Sequence, residues 1–292
     1  MVSVSRLDPR PSLKARGQGS ARLALSSREL DAAYRLLHDR YVEQGYHASD
    51  PSGLRFLPHY ALPTTYTFVV VNGRDVAGTA TLAERGALGL PMESLYESEV
   101  SALCSQGRRP AEISGLAFRT SDRLGALKLM RTIVAFAKHT LHVTDLCISV
   151  NPAHVVFYKK CFLFEEMGEI LPCAEVNGAP AVPLRLDLTV AIERCAEVHP
   201  FGIINRHMSP EAMEREGLSY EGLADEIRRG LFEATAARMR FARRWVKREP
   251  AGNSPTRRWK ASDAQVVAKE CGEERELIRS LEEWAATISL ES

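Results

Sequence analysis

Up to about residue 190 the hydrophobic pattern of this 292-residue chain switches repeatedly between a period of two and a period of 3.6; beyond it, nearly every pattern is helical. A chain that keeps changing period places helices against a sheet, whereas one that does not builds helices only. The feature therefore divides the chain into an α+β part and a helical part. No apolar run approaches the 18 residues of a membrane-spanning helix, and stretches such as Phe68-Val69-Val70-Val71 are strand-sized.

The elements can be placed by their caps and turns. A capping box, Ser26-x-x-Glu29, opens a helix that runs to about Gln44, with Leu30, Ala33, Tyr34, Leu37 and Tyr41 on one face. The turn Asn72-Gly73-Arg74-Asp75 joins strands Tyr66–Val71 and Val76–Leu82. A long polar connection leads to a strand at Glu112–Phe118, and Ser121 or Asp122 caps a helix to about His139. Thr144–Val150 reads as a strand. Asn151-Pro152 starts a short helix to about Lys160, because proline fits the first helical position. Strands near Phe164–Ile170 and at Val182–Leu188 follow, joined through Asn177-Gly178. Helical patterns then begin at Ser209-Pro210, at Ser219 (reaching Lys247) and at Ser262-Asp263, with a loop at Gly252-Asn253-Ser254-Pro255. The expected fold is a mixed, mostly antiparallel sheet with helices on both faces, plus an α-helical C-terminal extension.

Six cysteines form no C-x-x-C pair, and Cys147 sits in an apolar run; we read them as reduced, in a cytoplasmic setting. Residues 1–22 are Arg/Ser-rich and acid-poor, without an apolar segment. That composition fits a transit peptide or a disordered tail, and we read a disordered basic tail. The eight histidines lack ligand spacing, so no metal is expected. Phosphate-binding and dinucleotide-binding glycine loops and the G-x-S-x-G elbow are absent.

The net charge of +1 hides a polarised chain. Between Arg228 and Lys260 lie eleven basic residues and two acidic ones, with Phe241, Trp245 and Trp259 interleaved. Such a surface attracts an acidic protein, nucleic acid or an anionic membrane, or is simply a solvated helical face. No recognition motif for nucleic acid accompanies it. Leu231, Phe232 and Met239 offer an apolar side for a peripheral membrane contact.

Four segments in order carry a resemblance. Ala111-Glu112-Ile113-Ser114-Gly115-Leu116-Ala117-Phe118 resembles the central strand of acyl-homoserine lactone synthases and, more closely, of the FeeM-like N-acyl amino acid synthases. Ala33-Tyr34-Arg35-Leu36 through Tyr41-Val42-Glu43-Gln44-Gly45-Tyr46 resembles their first helix. Gly89-Leu90-Pro91-Met92-Glu93, Glu99-Val100 and Leu103 resemble the segment before the central strand. Asn151-Pro152-x-His154-x-x-Phe157-Tyr158-Lys159-Lys160 and Phe164 resemble the helix after the next strand in the wider GNAT acyltransferase superfamily. The resemblance covers roughly residues 24–190. It implies a GNAT-like three-layer domain at 23–190, followed by a helical region at 191–292.

In such a fold, strands 112–118 and 144–150 run parallel and splay apart to admit a pantetheine arm. The helix start at Ser121–Gly125 then faces the phosphate end. Arg119, Arg123, Gly125 and Ala126 supply the residue types of the usual phosphate loop at the wrong spacing. That spacing suits the single phosphate of a carrier-protein phosphopantetheine better than acetyl-CoA. No cofactor is bound permanently; the cosubstrate is acyl-phosphopantetheine on acyl carrier protein, or acyl-CoA.

Glu112 is the candidate base or amine anchor; its alternative is a strand-end carboxylate in solvent. Tyr158 matches the position of a phenolic acid, or is a core aromatic. Ser114 bonds substrate or its own backbone. Candidate substrate contacts are Arg35, Arg40, Phe118, Arg119, Arg123, Gly125, Asn151 and His154, the last also readable as an exposed histidine. Arg240, Arg243, Arg244 and Lys247 form a candidate carrier-protein patch. Two positions depart from the relatives, which commonly carry arginine where this chain has Leu37 and Gly115; Arg35 or Arg40 stands near the first. The function read is transfer of a fatty acyl group from acyl carrier protein to an amino acid or similar small amine. An acetyl-CoA-dependent N-acetyltransferase and an inactive acyl- or carrier-binding module are the alternatives.

Overall fold

The computed structural model describes residues 19–120, 122–194, 208–248, 260 and 262–270, without the side chains of 192, 193 and 246–248. Outside the described residues lie 1–18 of the basic tail, Ser121, Cys195, Cys271, the loop at 252–255, Arg257, Arg258 and Trp259. The lysine side chain expected in the carrier patch, Lys247, is also outside them.

Among the described residues, eight strands form one sheet. In chain order they are β1 (Ser20–Leu23), β2 (Thr65–Asn72), β3 (Asp75–Glu84), β4 (Pro110–Phe118), β5 (Asp145–Val150), β6 (Glu165–Glu166), β7 (Leu171–Cys173) and β8 (Ala179–Asp187). Their spatial order is β1-β2-β3-β4-β5-β8-β6, with β7 also on β8. Every pairing is antiparallel except β4 with β5. The α+β reading with a mixed, mostly antiparallel sheet is thereby met. The last three residues of the expected tail, Ser20–Arg22, belong to the edge strand, and Arg22 pairs with Glu29 at 2.7 Å.

Helix α1 (Ser27–Glu43) starts as the capping box requires: Ser26 Oγ accepts from Glu29 N, and Glu29 Oε2 reaches back to Leu25 N. Its buried face is packed on β2, β3 and β4. Helix α3 (Arg123–His139) covers the other face, and α4 (Pro152–Phe162) packs on β8. Successive β2 residues alternate between the two cores, with Phe68 and Val70 in one and Val69 in the other. A short α5 (Ala191–Arg194) ends the α+β part.

Three expectations are corrected. The polar connection before β4 contains helix α2 (Glu93–Ser105), which buries Tyr96, Val100 and Leu103. Its cap residue, Met92, has no side-chain oxygen to cap with. The single long helix from Ser219 is two helices, α7 (Tyr220–Arg229) and α8 (Leu231–Arg248), broken at Gly230; α6 (Pro210–Arg215) precedes them. The expected strand at 164–170 shrinks to β6 and a separate β7.

Helix α7 packs on α3, whereas α8 packs on α1. Between them, a Cβ at Gly230 would meet Leu25 Cδ2 at 3.0 Å, so the two helices straddle the end of the sheet at β1. The apolar side of α8 is spent inside: Ala237, Met239, Phe241 and Ala242 are buried, and Trp245 packs against Phe56. Of the three residues read as a membrane-facing side, Phe232 alone is exposed. No described helix is long and apolar enough to cross a membrane.

Candidate active site

Strands β4 and β5 pair at three positions only, Pro110 with Asp145, Ala111 with Leu146 and Glu112 with Cys147. Beyond Glu112 they part, each held by its outer neighbour, β3 or β8. Backbone groups of both strands are left facing the gap without a strand partner. The closed end is fixed by charge. Asp145, fully buried, receives Arg108 Nε at 2.7 Å, Thr144 Oγ1 at 2.6 Å and the Arg185 guanidinium, and Asp187 bonds both arginines.

A bulge re-aims β4 just past the divergence. Ser114 faces Thr81 and Ala117 faces Thr79, so Gly115 and Leu116 together oppose Ala80. Gly115 has φ +60°, and a Cβ there would lie 2.8 Å from the Tyr60 hydroxyl and 3.1 Å from Leu37 Cδ2. The two positions that depart from the relatives thus face each other. Leu37 and Tyr60 fill the space that a side chain at 115 would need.

The gap opens into a cavity of about 530 Å³, an ordinary volume for a small-molecule site. Glu112, Ser114, Phe118, Asn151, His154 and Tyr158 all line it, so the structure brings these sequence candidates together. Glu112 is 4% exposed, which excludes the solvent reading. Its Oε2 accepts a 2.6 Å hydrogen bond from Met92 N, and burial pushes its carboxyl up to about 8 despite that bond. The Tyr158 ring packs among Phe157, Phe162 and Phe164, and burial pushes its phenol up to about 12. Ser114 Oγ lies 3.2 Å from the Tyr60 hydroxyl rather than on its own backbone.

The remaining candidates separate. Arg40 lines the cavity while pairing with Glu43 at 2.8 Å. Arg35 is exposed, pairs with Asp31 and bonds Ser52 O; it is not on the cavity wall and does not replace an arginine at 37. Arg119 donates to Val76 O at 2.8 Å, at the start of β3. At the start of α3, Asp122 accepts from Gly125 N at 2.8 Å, so a carboxylate already caps the turn expected to meet phosphate. Arg123 is exposed. Burial pushes the nearby Cys161 thiol up, opposed by the charges of Arg123 and Lys160. Arg240 and Arg244 are exposed and Arg243 half-buried on α8, over the α1 face, whereas α3 lies on the other face.

The lining residues that the sequence reading missed include Arg55, Tyr60 and Glu175, and Met92 entered it only as part of the segment before the central strand. The hairpin carrying Glu175 is tied to the end of α1 by Asn177 Nδ2, which donates to Gly45 O at 2.9 Å.

The N-acyl amino acid synthase FeeM family model matches residues 32–187, just over half of the chain. Among solved structures, FeeM, an N-acyl amino acid synthase from uncultured soil microbes, is 33% identical, with a TM-score of 0.52. That match covers 58% of this chain and 95% of FeeM. The CoA-dependent acyl-homoserine lactone synthase BjaI is 21% identical over 61% of this chain and 88% of its own, with a TM-score of 0.44. The acyl-homoserine lactone synthase LasI is 16% identical over 60% and 92%, with a TM-score of 0.43. No curated protein matches the chain.

Proposed function

The chain belongs to the FeeM family of N-acyl amino acid synthases and is an N-acyltransferase, and from that membership we propose that it moves a fatty acyl group from an acyl carrier protein to the amine of an amino acid. The observation that carries the chemistry is Glu112, buried where β4 and β5 part, with its carboxyl held near 8. A base with that affinity accepts a proton from an attacking amine near neutral pH.

The acyl thioester lies in the gap, where unpartnered strand amides meet the pantetheine arm and the carbonyl oxygen. The amine nitrogen bonds the carbonyl carbon, the carbonyl electron pair moves onto oxygen, and Glu112 takes the proton. Collapse breaks the C–S bond, Tyr158 gives its phenol proton to the departing sulfur, and the proton held on Glu112 then restores the phenol through solvent, which returns both groups to their starting states.

The carrier-protein donor rests on Asp122. Its carboxylate occupies one amide of the α3 N-terminus and repels the pyrophosphate of a coenzyme A. Arg123 and Lys160, beside exposed Val156 and Phe157, suit an acidic carrier surface better than the patch on α8, which lies over the other sheet face. The test is kcat/KM for acyl carrier protein and acyl-CoA of equal chain length. At least a ~10-fold preference for the carrier thioester is expected, equivalent to about 1.4 kcal/mol. Asp122→Asn should narrow it by improving acyl-CoA; equal use of both donors by the unaltered protein contradicts the assignment.

A further inference from the structure

Arg55 is the most unusual group on the cavity wall. It lies in the segment between α1 and β2, its backbone N–H donating to Tyr34 O at 3.1 Å. The residue is 8% exposed, and no described carboxylate forms an ion pair with it. Its Nε is buried without a hydrogen-bond partner, and its guanidinium rests on the Tyr41 ring at 4.3 Å from the centroid. A buried cation left with only a ring face is expensive unless a ligand completes it. The planar fork of a guanidinium is shaped for a carboxylate.

The cavity is polarised around this group. Arg55 and Arg40 line it on the α1 side, whereas Glu112 and Glu175 are its acidic members. Arg55 sits close enough to Tyr60 to oppose the rise in its phenol, the Tyr60 hydroxyl meets Ser114, and Ser114 shares a strand face with Glu112. A ligand that offers an amine to Glu112 and a carboxylate to Arg55, two groups lining the same cavity, matches that series.

We propose that Arg55 is the acceptor's carboxylate clamp, restricting the enzyme to amines that carry a free carboxylate. This rests on the acyl-transfer reading above and names the group that selects its substrate. Arg55 replaces, from a loop, the cationic function that Leu37 and Gly115 do not supply.

The test compares the best amino-acid acceptor with its carboxamide and its decarboxylated amine, in the unaltered protein, Arg55→Gln and Arg55→Lys. The unaltered protein should favour the amino acid by at least ~30-fold in kcat/KM. Arg55→Gln should raise the amino acid's KM and leave the two acceptors without a carboxylate within about threefold, while Arg55→Lys recovers part of the preference. Should Arg55→Gln not fold, the unaltered protein alone decides, since equal use of acid and carboxamide overturns the clamp. So does an undiminished preference in folded Arg55→Gln. If no acceptor is acylated, the acyl-transfer reading fails instead. Calorimetry of the amino acid against its carboxamide then judges the clamp separately, and equal or absent binding overturns it.

Discussion

At the scale of single residues, the site is governed by where charge is buried. Glu112 opens an apolar strand, and its position there was legible because a carboxylate in such a run needs a reason. Its burial was not legible, since that depends on Met92 folding over it from 20 positions earlier. Arg55 left no sequence signal at all: one arginine in a loop has no periodicity, and its isolation exists only in three dimensions. The carboxyl of Glu112 is raised above its unfolded value of about 4.5 to about 8, so between those limits the folded state holds a proton that the unfolded state has released. Stability from this group therefore falls as pH rises through that window and levels off above 8. Glu112→Gln keeps an oxygen for Met92 N and removes the ionisation. Its melting temperature should match that of the unaltered protein near pH 4.5 and exceed it at pH 8.5, by roughly 2–4 °C for each kcal/mol relieved. A constant difference across pH, followed by scanning calorimetry, rules out the buried-carboxyl description.

At the scale of elements, strands and capped helices were readable because their signals are local. Ser26, Asp122, Asn151, Ser209 and Ser219 each cap a helix with a side-chain oxygen. Helix α2 lacks such a cap and kinks at Tyr96, whose hydroxyl donates to Ala181 O at 2.8 Å; tertiary contact, not local preference, holds it. The break at Gly230 was hidden because the apolar pattern continues across it. The divergence of β4 and β5 was implied by resemblance, and its physical hinge is the Asp145 cluster at their paired end. Asp145→Ala removes the buried acceptor shared by Arg108, Arg185 and Thr144, while Asp187 still holds both arginines, and should lower stability by about 1.5–3 kcal/mol. Urea unfolding reads this directly; a loss below ~1 kcal/mol means the strands are held together by something else.

At the scale of the whole molecule, the near-zero net charge concealed a basic helical segment, yet the structure uses much of that segment for packing. Arg238 is buried and donates to Ala61 O at 2.6 Å, and α8, which carries most of the segment's basic residues, packs on α1 while α7 packs on α3. That packing against the two helices of the α+β part is a use of the C-terminal region that charge counting could not reveal. The central claim concerns the reaction carried out in the gap by the full chain. It is tested by the pH dependence of kcat/KM for N-acyl amino acid formation from acyl carrier protein, between pH 6 and 9.5, in the unaltered protein and in Glu112→Gln. The account predicts a rise with an apparent pKa near 8 that stays put when acceptors of different amine basicity are exchanged. In Glu112→Gln the rate should drop by about 10²–10⁴-fold and that rise should vanish. A Glu112→Gln enzyme working at the original rate, or a rise that follows the acceptor's own amine, would contradict it.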